Sequence, residues 1–194
     1  LAFPAMFILL ADAGAANLLT RNVARNREDR AHLLGRALGL KLALSVATIG
    51  IVWAAAALTG KPSEALFAIR VVTCSLIVQS FSQTFYAVFR GVERMELQVI
   101  PSALEAAASL GGGILALALG YGLAGLVVAL LFSSVLGLIA AGAMYRRFLG
   151  SIPFELSLDK GWALLKTSLP FGLVVFFGSL FLYVDTVIIS LIVG

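Results

Sequence analysis

Six polar residues recur on one face of an otherwise apolar stretch between residues 75 and 90. Their spacing of i, i+4, i+7, i+8, i+11 and i+15 forms a single stripe on a helix that turns 100° per residue. A polar stripe along a membrane-spanning helix predicts either a water-filled cavity or hydrogen bonds to neighbouring helices. We favour the cavity because the stripe runs the length of the helix. The residues are Ser75, Gln79, Ser82, Gln83, Tyr86 and Arg90.

Glu105 is a carboxylate within another apolar stretch, where a charge at the bilayer centre costs roughly 2.5–3.5 kcal/mol. It lies roughly 160° around the helix from a ridge of small residues, Ala103, Ala107 and Gly111. We therefore expect the ridge to pack against a neighbouring helix and Glu105 to face elsewhere, either into the cavity or toward Arg94 or the membrane interface.

Two further acids lie within apolar stretches, near the two ends of the sequence. Asp12 and Asp185 are candidates for proton or ion coupling, and the alternative is that each pairs with an arginine of another helix. No set of residues predicts catalysis, since there is one histidine, His32, and one cysteine, Cys74. We expect no catalytic residues, no metal, no cofactor and no enzymatic activity.

The elements that position these residues are predicted to be transmembrane helices. The chain of 194 residues is 61% hydrophobic and 12% charged, and its mean hydropathy is +1.04. A soluble domain has about a quarter charged residues, so the composition predicts an all-α, polytopic bundle in a bilayer. Six apolar segments each have about the 20 residues needed to span it. They are 1–20, 38–59, 65–89, 98–119, 122–145 and 163–193.

The basic residues lie mainly in alternate connections between these segments. Connections 21–37, 90–97 and 146–162 carry most of them, with Lys41 assigned to the first of the three. The positive-inside rule places these connections in the cytoplasm. The net charge of +4 is dispersed in this way and forms no basic stripe, so we expect no nucleic-acid partner.

Two of the cytoplasmic connections have patterns of their own. Residues 22–35 mix charged residues with Val23, Leu33 and Leu34, which predicts a short helix at the membrane interface. Residues 148–159 alternate apolar and polar side chains around Pro153, which predicts an extended linker on the membrane surface. The linker would separate two parts of the protein.

Four stretches carry a resemblance to the polysaccharide (O-antigen-type) flippases of the multidrug/oligosaccharidyl-lipid/polysaccharide exporter superfamily. Their order and spacing fit across essentially the whole chain. They are LADAG at 10–14 with LTRNVAR at 19–25, FRGVERME at 89–96, ALGYGLAG at 118–125, and LPFG at 169–172 with YVDTVIIS at 183–190.

The resemblance implies helices two to seven of a two-lobed transporter with twelve to fourteen helices. Residues 1–147 would form most of the first lobe without its first helix, 148–161 the inter-lobe linker, and 162–194 the first helix of the second lobe. It also implies transport of lipid-linked oligosaccharide or polysaccharide precursors across the bacterial plasma membrane by alternating access. Polysaccharide polymerase or assembly proteins would be further partners.

Two other functions stay open at this point. A multidrug or cation antiporter of the same superfamily would have acids deep in the cavity without matching arginines, and Asp12 and Glu105 are such acids. An integral-membrane transferase acting on lipid-linked sugars would need an acidic metal-binding pair or a catalytic histidine in a loop. A flippase of this type would bind diphosphate through arginines, for which Arg90 and, less well placed, Arg70 are the candidates.

Overall fold

The chain folds into long helices joined by short connections. The computed structural model describes residues 16–58 and 63–151, and no strand occurs in this part. Helix α1 is described over 16–25. It is followed by α2 (Arg30–Leu58), α3 (Ser63–Gly91), α4 (Glu96–Ala118) and α5 (Gly122–Phe148). Helices α2 to α5 are each long and apolar enough to cross a membrane.

Four of the six predicted segments are therefore confirmed as helices of spanning length. The predicted ends of α3, α4 and α5 agree with the structure to within about three residues. Most of the first predicted segment, the predicted linker from residue 152 onward and the whole of the segment 163–193 lie outside the described residues. The predicted division into lobes and linker is consequently untested by the fold.

The predicted interfacial helix at 22–35 is wrong. Helix α1 continues to residue 25, a turn follows at 26–29, and α2 begins at Arg30, eight residues before the predicted start of the segment. Val23 and Leu34 are fully buried in the main hydrophobic cluster. The apolar residues in this stretch therefore reflect packing between helices, whereas the prediction attributed them to contact with the membrane surface.

Helices α4 and α5 form an antiparallel hairpin through a tight turn. Gly120 and Gly122 have φ values of 76° and 55° there, a conformation that glycine adopts without steric cost. Small residues allow the two helices to approach closely, because a Cβ on Gly112 would lie 3.1 Å from the Cβ of Ala129. Contacts between α4 and α5 are extensive, whereas α4 touches α3 at few points.

The predicted small-residue ridge does not make this contact. Ala103 and Ala107 are exposed, and a Cβ on Gly111 would have open space around it. Glu105, which was expected to face away from the neighbouring helix, packs instead against Gly137 of α5. The small residues of α4 alone could not predict this orientation, because the contact of Glu105 depends on a glycine of α5.

Helix α3 packs on both α2 and α5, and its last turns form the centre of the core. Tyr86, Ala87, Val88 and Phe89 are buried there with residues of the other helices. Helix α1 lies close to the end of α3, where the Thr20 hydroxyl donates a hydrogen bond of 3.0 Å to the carbonyl of Ala87. These contacts hold the C-terminal turns of α3 in place. The polar residues nearer its middle therefore project from a well-packed helix.

Three connections meet at one end of the bundle. Arg27 forms an ion pair of 2.7 Å with Glu93, and Arg30 donates a hydrogen bond of 3.2 Å to the carbonyl of Leu149. The guanidinium of Arg94 lies 5.3 Å from the ring centre of Phe148. The basic connections therefore share one end, as their alternation requires, and the assignment of that end to the cytoplasm stays a prediction.

Helix α3 ends in a Schellman motif with a glutamate at its left-handed position. Glu93 has a φ of 62°. Its N–H donates a hydrogen bond of 3.1 Å to the carbonyl of Arg90, and the N–H of Arg94 donates one of 2.9 Å to that of Phe89. Glycine usually fills this position because a Cβ is unfavourable there. The backbone of Glu93 is therefore strained, and its side chain forms the ion pair with Arg27.

Candidate functional site

A hydrogen bond between Gln79 and Glu105 forms the centre of the candidate site. The Gln79 side-chain amide of α3 donates to the Glu105 carboxylate of α4 over 3.1 Å. Glu105 lies about 14 Å along the helix axis from Glu96, the first residue of α4, and is therefore well inside the span. Gln79 is exposed and Glu105 is half-buried, so the pair lies at the edge of the contact between the two helices.

Gly137 of α5 forms the wall behind the Glu105 carboxylate. A Cβ built on Gly137 would lie 2.8 Å from Oε2 of Glu105 and 3.1 Å from its Cβ. Both distances are shorter than ordinary van der Waals contact. A side chain at residue 137 would therefore displace the carboxylate and crowd the Cβ of Glu105.

The other residues of the stripe on α3 divide into two groups. Ser75, Ser82 and Tyr86 are buried between helices, whereas Gln83 and Arg90 are half-buried. Ser75 donates its hydroxyl hydrogen bond to the carbonyl of Val71 in its own helix. The hydroxyl oxygens of Ser82 and Tyr86 are buried and have no hydrogen-bond partner.

Arg90 marks the end of the stripe nearest the basic connections. Its guanidinium donates a hydrogen bond of 3.4 Å to the side-chain carbonyl of Gln98 on α4. Arg94, one of the partners considered for Glu105, instead donates to Glu96 over 2.9 Å. Two side-chain hydrogen bonds thus connect α3 and α4. Each has its α3 partner in the predicted stripe, Gln79 in one and Arg90 in the other.

Two predicted candidates cannot be placed in this site. Asp12 and Asp185 lie outside the described residues, so their predicted coupling role stays a prediction. Arg70, which was the weaker arginine candidate, is exposed and its guanidinium lies 5.7 Å from the ring centre of Trp53 on α2. It is on a different part of α3 from the contact with Glu105.

Lys41 is a charged residue whose position the sequence interpretation misplaced. It lies within α2, about 16 Å along the helix from Arg30, and was assigned to the first basic connection. Its ammonium group donates hydrogen bonds to the carbonyl of Ser80 and, over 3.0 Å, to the hydroxyl of Thr84. The signal was present in the sequence, because the residues on both sides of Lys41 continue the apolar segment.

The arrangement has the chemistry of a polar binding site, with a carboxylate, an amide and two hydroxyl groups on facing helices. An arginine lies toward one end. Among the described residues no group of three or more histidine, cysteine or acidic side chains could hold a metal ion. The groups present can hydrogen-bond a polar solute or coordinate a small cation through oxygen.

A family of proteins described as polysaccharide biosynthesis proteins matches the whole sequence, over residues 1–194. No curated protein and no solved structure gives a significant match. The family match confirms the resemblance that the four sequence motifs carry. It covers the described helices and also the parts of the chain that contain Asp12 and Asp185.

Proposed function

Because the chain belongs to the polysaccharide biosynthesis protein family, we propose that it is part of a flippase that moves lipid-linked oligosaccharide or polysaccharide precursors across the cytoplasmic membrane. Transport would proceed by alternating access, without catalysis of a chemical reaction. The connections 21–37, 90–97 and 146–162 would face the cytoplasm, as the positive-inside rule requires. Polymerase or assembly proteins of the same polysaccharide would be its partners.

The observation that carries the proposal is the place of the Gln79–Glu105 hydrogen bond. It lies between α3 and α4, which pack against each other far less than α4 packs against α5. Polar residues that only hold helices together belong where the helices are tightly packed. A polar pair in an open contact between spanning helices supports a surface that a hydrated substrate can reach.

One observation favours a cation antiporter of the same superfamily. Within the described helices Glu105 has an amide as its hydrogen-bond partner and forms no ion pair with an arginine or lysine. An acid without a matching base is what an antiporter would need. The presence of Arg90 at the end of the same stripe favours the flippase, since arginine binds phosphate groups well.

Surface polysaccharide tests the proposal in a bacterial strain that lacks its own flippase. The gene, with all the residues it encodes, should restore the polysaccharide. Gln79→Leu should reduce it, because this change removes the amide that donates to Glu105. Glu105→Gln should also reduce it, because this change removes the carboxylate charge from the contact between α3 and α4 while an acceptor oxygen stays. Glu64→Gln is the matched control, since Glu64 is an exposed acid of α3 far from this contact.

Protein levels in the membrane must be measured in parallel for each variant. Loss of polysaccharide with normal levels for Gln79→Leu and Glu105→Gln, and no loss for Glu64→Gln, would support the flippase. Full restoration by all three variants would contradict a substrate surface at this contact. Export of cationic drugs without restoration of polysaccharide would favour the antiporter.

A further inference from the structure

The end of α5 brings two arginine side chains to one exposed aromatic ring. Phe148, the last residue of α5, is 44% exposed. The guanidinium of Arg94 lies 5.3 Å from its ring centre, and that of Arg147 lies 5.6 Å from the same point. Arg94 belongs to the connection between α3 and α4, whereas Arg147 belongs to the last turn of α5. Two positive charges from different parts of the chain therefore meet at one apolar side chain.

These arginines have hydrogen-bond donors that the protein leaves unused. Arg94 donates from its Nε to Glu96 over 2.9 Å. Within the part of the chain that the structure describes, its terminal nitrogens and the whole guanidinium of Arg147 have no hydrogen-bond partner. A guanidinium that packs on a ring keeps the N–H groups at its edges available, and these suit the oxygens of a phosphate group.

A structural role accounts for only part of this arrangement. Basic side chains in the last turn of a helix interact favourably with its dipole, which applies to Arg146 and Arg147 alike. The dipole does not explain why Arg94 is held at the same ring as Arg147, because like charges repel each other. An anion bound by both guanidinium groups would turn this repulsion into attraction.

The position of the two arginines indicates that the anion belongs to a membrane lipid. Helix α5 has no charged residue over 123–145, which is long enough to cross the hydrocarbon, and its arginines follow directly. They therefore lie at the level of the lipid headgroups. Exposed apolar side chains continue from this level along α4, where Met95 and Val99 are each 61% exposed. Guanidinium groups at the surface and apolar side chains below them match the two parts of a phospholipid.

We propose that Arg94, Arg147 and Phe148 bind the headgroup of an anionic phospholipid of the surrounding bilayer. The two guanidinium groups would contact the phosphate oxygens, and an acyl chain would lie along the exposed side chains of α4. The excess of positive charge favours an anionic lipid over a zwitterionic one, whose ammonium group it repels. The lipid would hold the connection between α3 and α4 against the end of α5. The inference goes beyond the proposed transport, and it uses no residue of the polar stripe on α3.

Displacement of phosphatidylglycerol with a fluorescent acyl chain from the purified full-length protein in neutral detergent tests the proposal. Unlabelled phosphatidylglycerol should displace the probe, and phosphatidylcholine should need about tenfold more. Inorganic phosphate at constant ionic strength should have no effect. Arg94→Gln and Arg147→Gln should each weaken binding of the probe about tenfold, the effect of one lost hydrogen bond to a charged group.

Arg146→Gln is the matched control and should bind the probe as wild type does. It removes the same charge from the same turn, but within the described helices Arg146 contacts no aromatic ring. An equal loss of affinity in Arg146→Gln and Arg147→Gln would overturn the site in favour of a diffuse effect of charge. Thermal unfolding without added lipid should give wild-type stability for all three variants, since exposed side chains contribute little to it.

The competitors distinguish the possible sources of the phosphate group. Displacement by phosphatidylcholine as efficient as that by phosphatidylglycerol would overturn selection of an anionic lipid, and displacement by inorganic phosphate would assign the site to a soluble anion. Stronger displacement by farnesyl diphosphate than by phosphatidylglycerol would assign it to a lipid-linked substrate. No binding of the probe by wild type would also overturn the proposal. Since no polysaccharide is assayed, each of these failures leaves the complementation result standing.

Discussion

Replacing Gly137 with alanine is the sharpest test of the geometry around Glu105. The new Cβ would lie 2.8 Å from Oε2 and 3.1 Å from Cβ of Glu105. The terminal carboxylate can rotate away, but the Cβ of Glu105 is fixed to the backbone of α4. The carboxylate should therefore leave its position, and its hydrogen bond with Gln79 should be lost.

The size of the effect follows from two opposing terms. Alanine in a helix interior is favoured over glycine by about 1 kcal/mol, whereas overpacking costs typically about 1–3 kcal/mol. Gly142→Ala in the same helix is the matched control, because a Cβ there has open space. Gly137→Ala should consequently be less stable than Gly142→Ala by about 1–3 kcal/mol.

Thermal unfolding of the purified protein in detergent measures this difference, and surface polysaccharide measures its functional consequence. Gly137→Ala should restore less polysaccharide than Gly142→Ala at equal protein level. Adding Glu105→Ala to Gly137→Ala should recover part of the lost stability, since the two residues touch and their effects should not be additive. Identical stability and polysaccharide for the two glycine variants would refute the packing of Glu105 against α5.

Two further predictions concern the end of α3. Gly91→Ala should destabilise the protein by about 1–3 kcal/mol in the same unfolding assay, because its Cβ would lie 2.8 Å from the backbone oxygen of Thr20. Gly111→Ala, where the space is open, should not. Glu93→Ala should be less stable than Glu93→Gly by roughly 1 kcal/mol, since both lack the ion pair and only glycine adopts a φ of 62° freely. Equal stability within either pair would contradict the local geometry.

The sequence predicted the helices well because their signal is long and local. An apolar run of about 20 residues is long enough to span a bilayer as a helix. The predicted ends of α3, α4 and α5 therefore lie close to the observed ones. The predicted start of α2 was eight residues too late, because the charged residues at 26–30 are typical of a connection at the membrane surface. Burial of Val23 and Leu34 in the core depends on contacts with distant helices, which no local pattern contains.

The shared helix face of the polar residues could be predicted for a similar reason, whereas their role in a substrate cavity stays a prediction. Helical spacing placed Gln79, Ser82 and Tyr86 on one face of α3, and the structure keeps them there. The position of the Glu105 side chain depends on its contact with Gly137, which lies on another helix and is distant in the sequence. A single glycine among many gives no signal of this role, and only the packed structure shows what it contacts.

The distribution of hydrogen bonds on the polar face of α3 differs from that expected for helix packing alone. In a contact built only to hold helices together, the deepest polar groups should be paired, since an unpaired group costs most where water is absent. Between residues 79 and 86 of this face the reverse holds. Exposed Gln79 has its partner in Glu105, whereas buried Ser82 and Tyr86 have none. This order is the reverse of what packing alone favours, and it supports the substrate surface that we propose on α3.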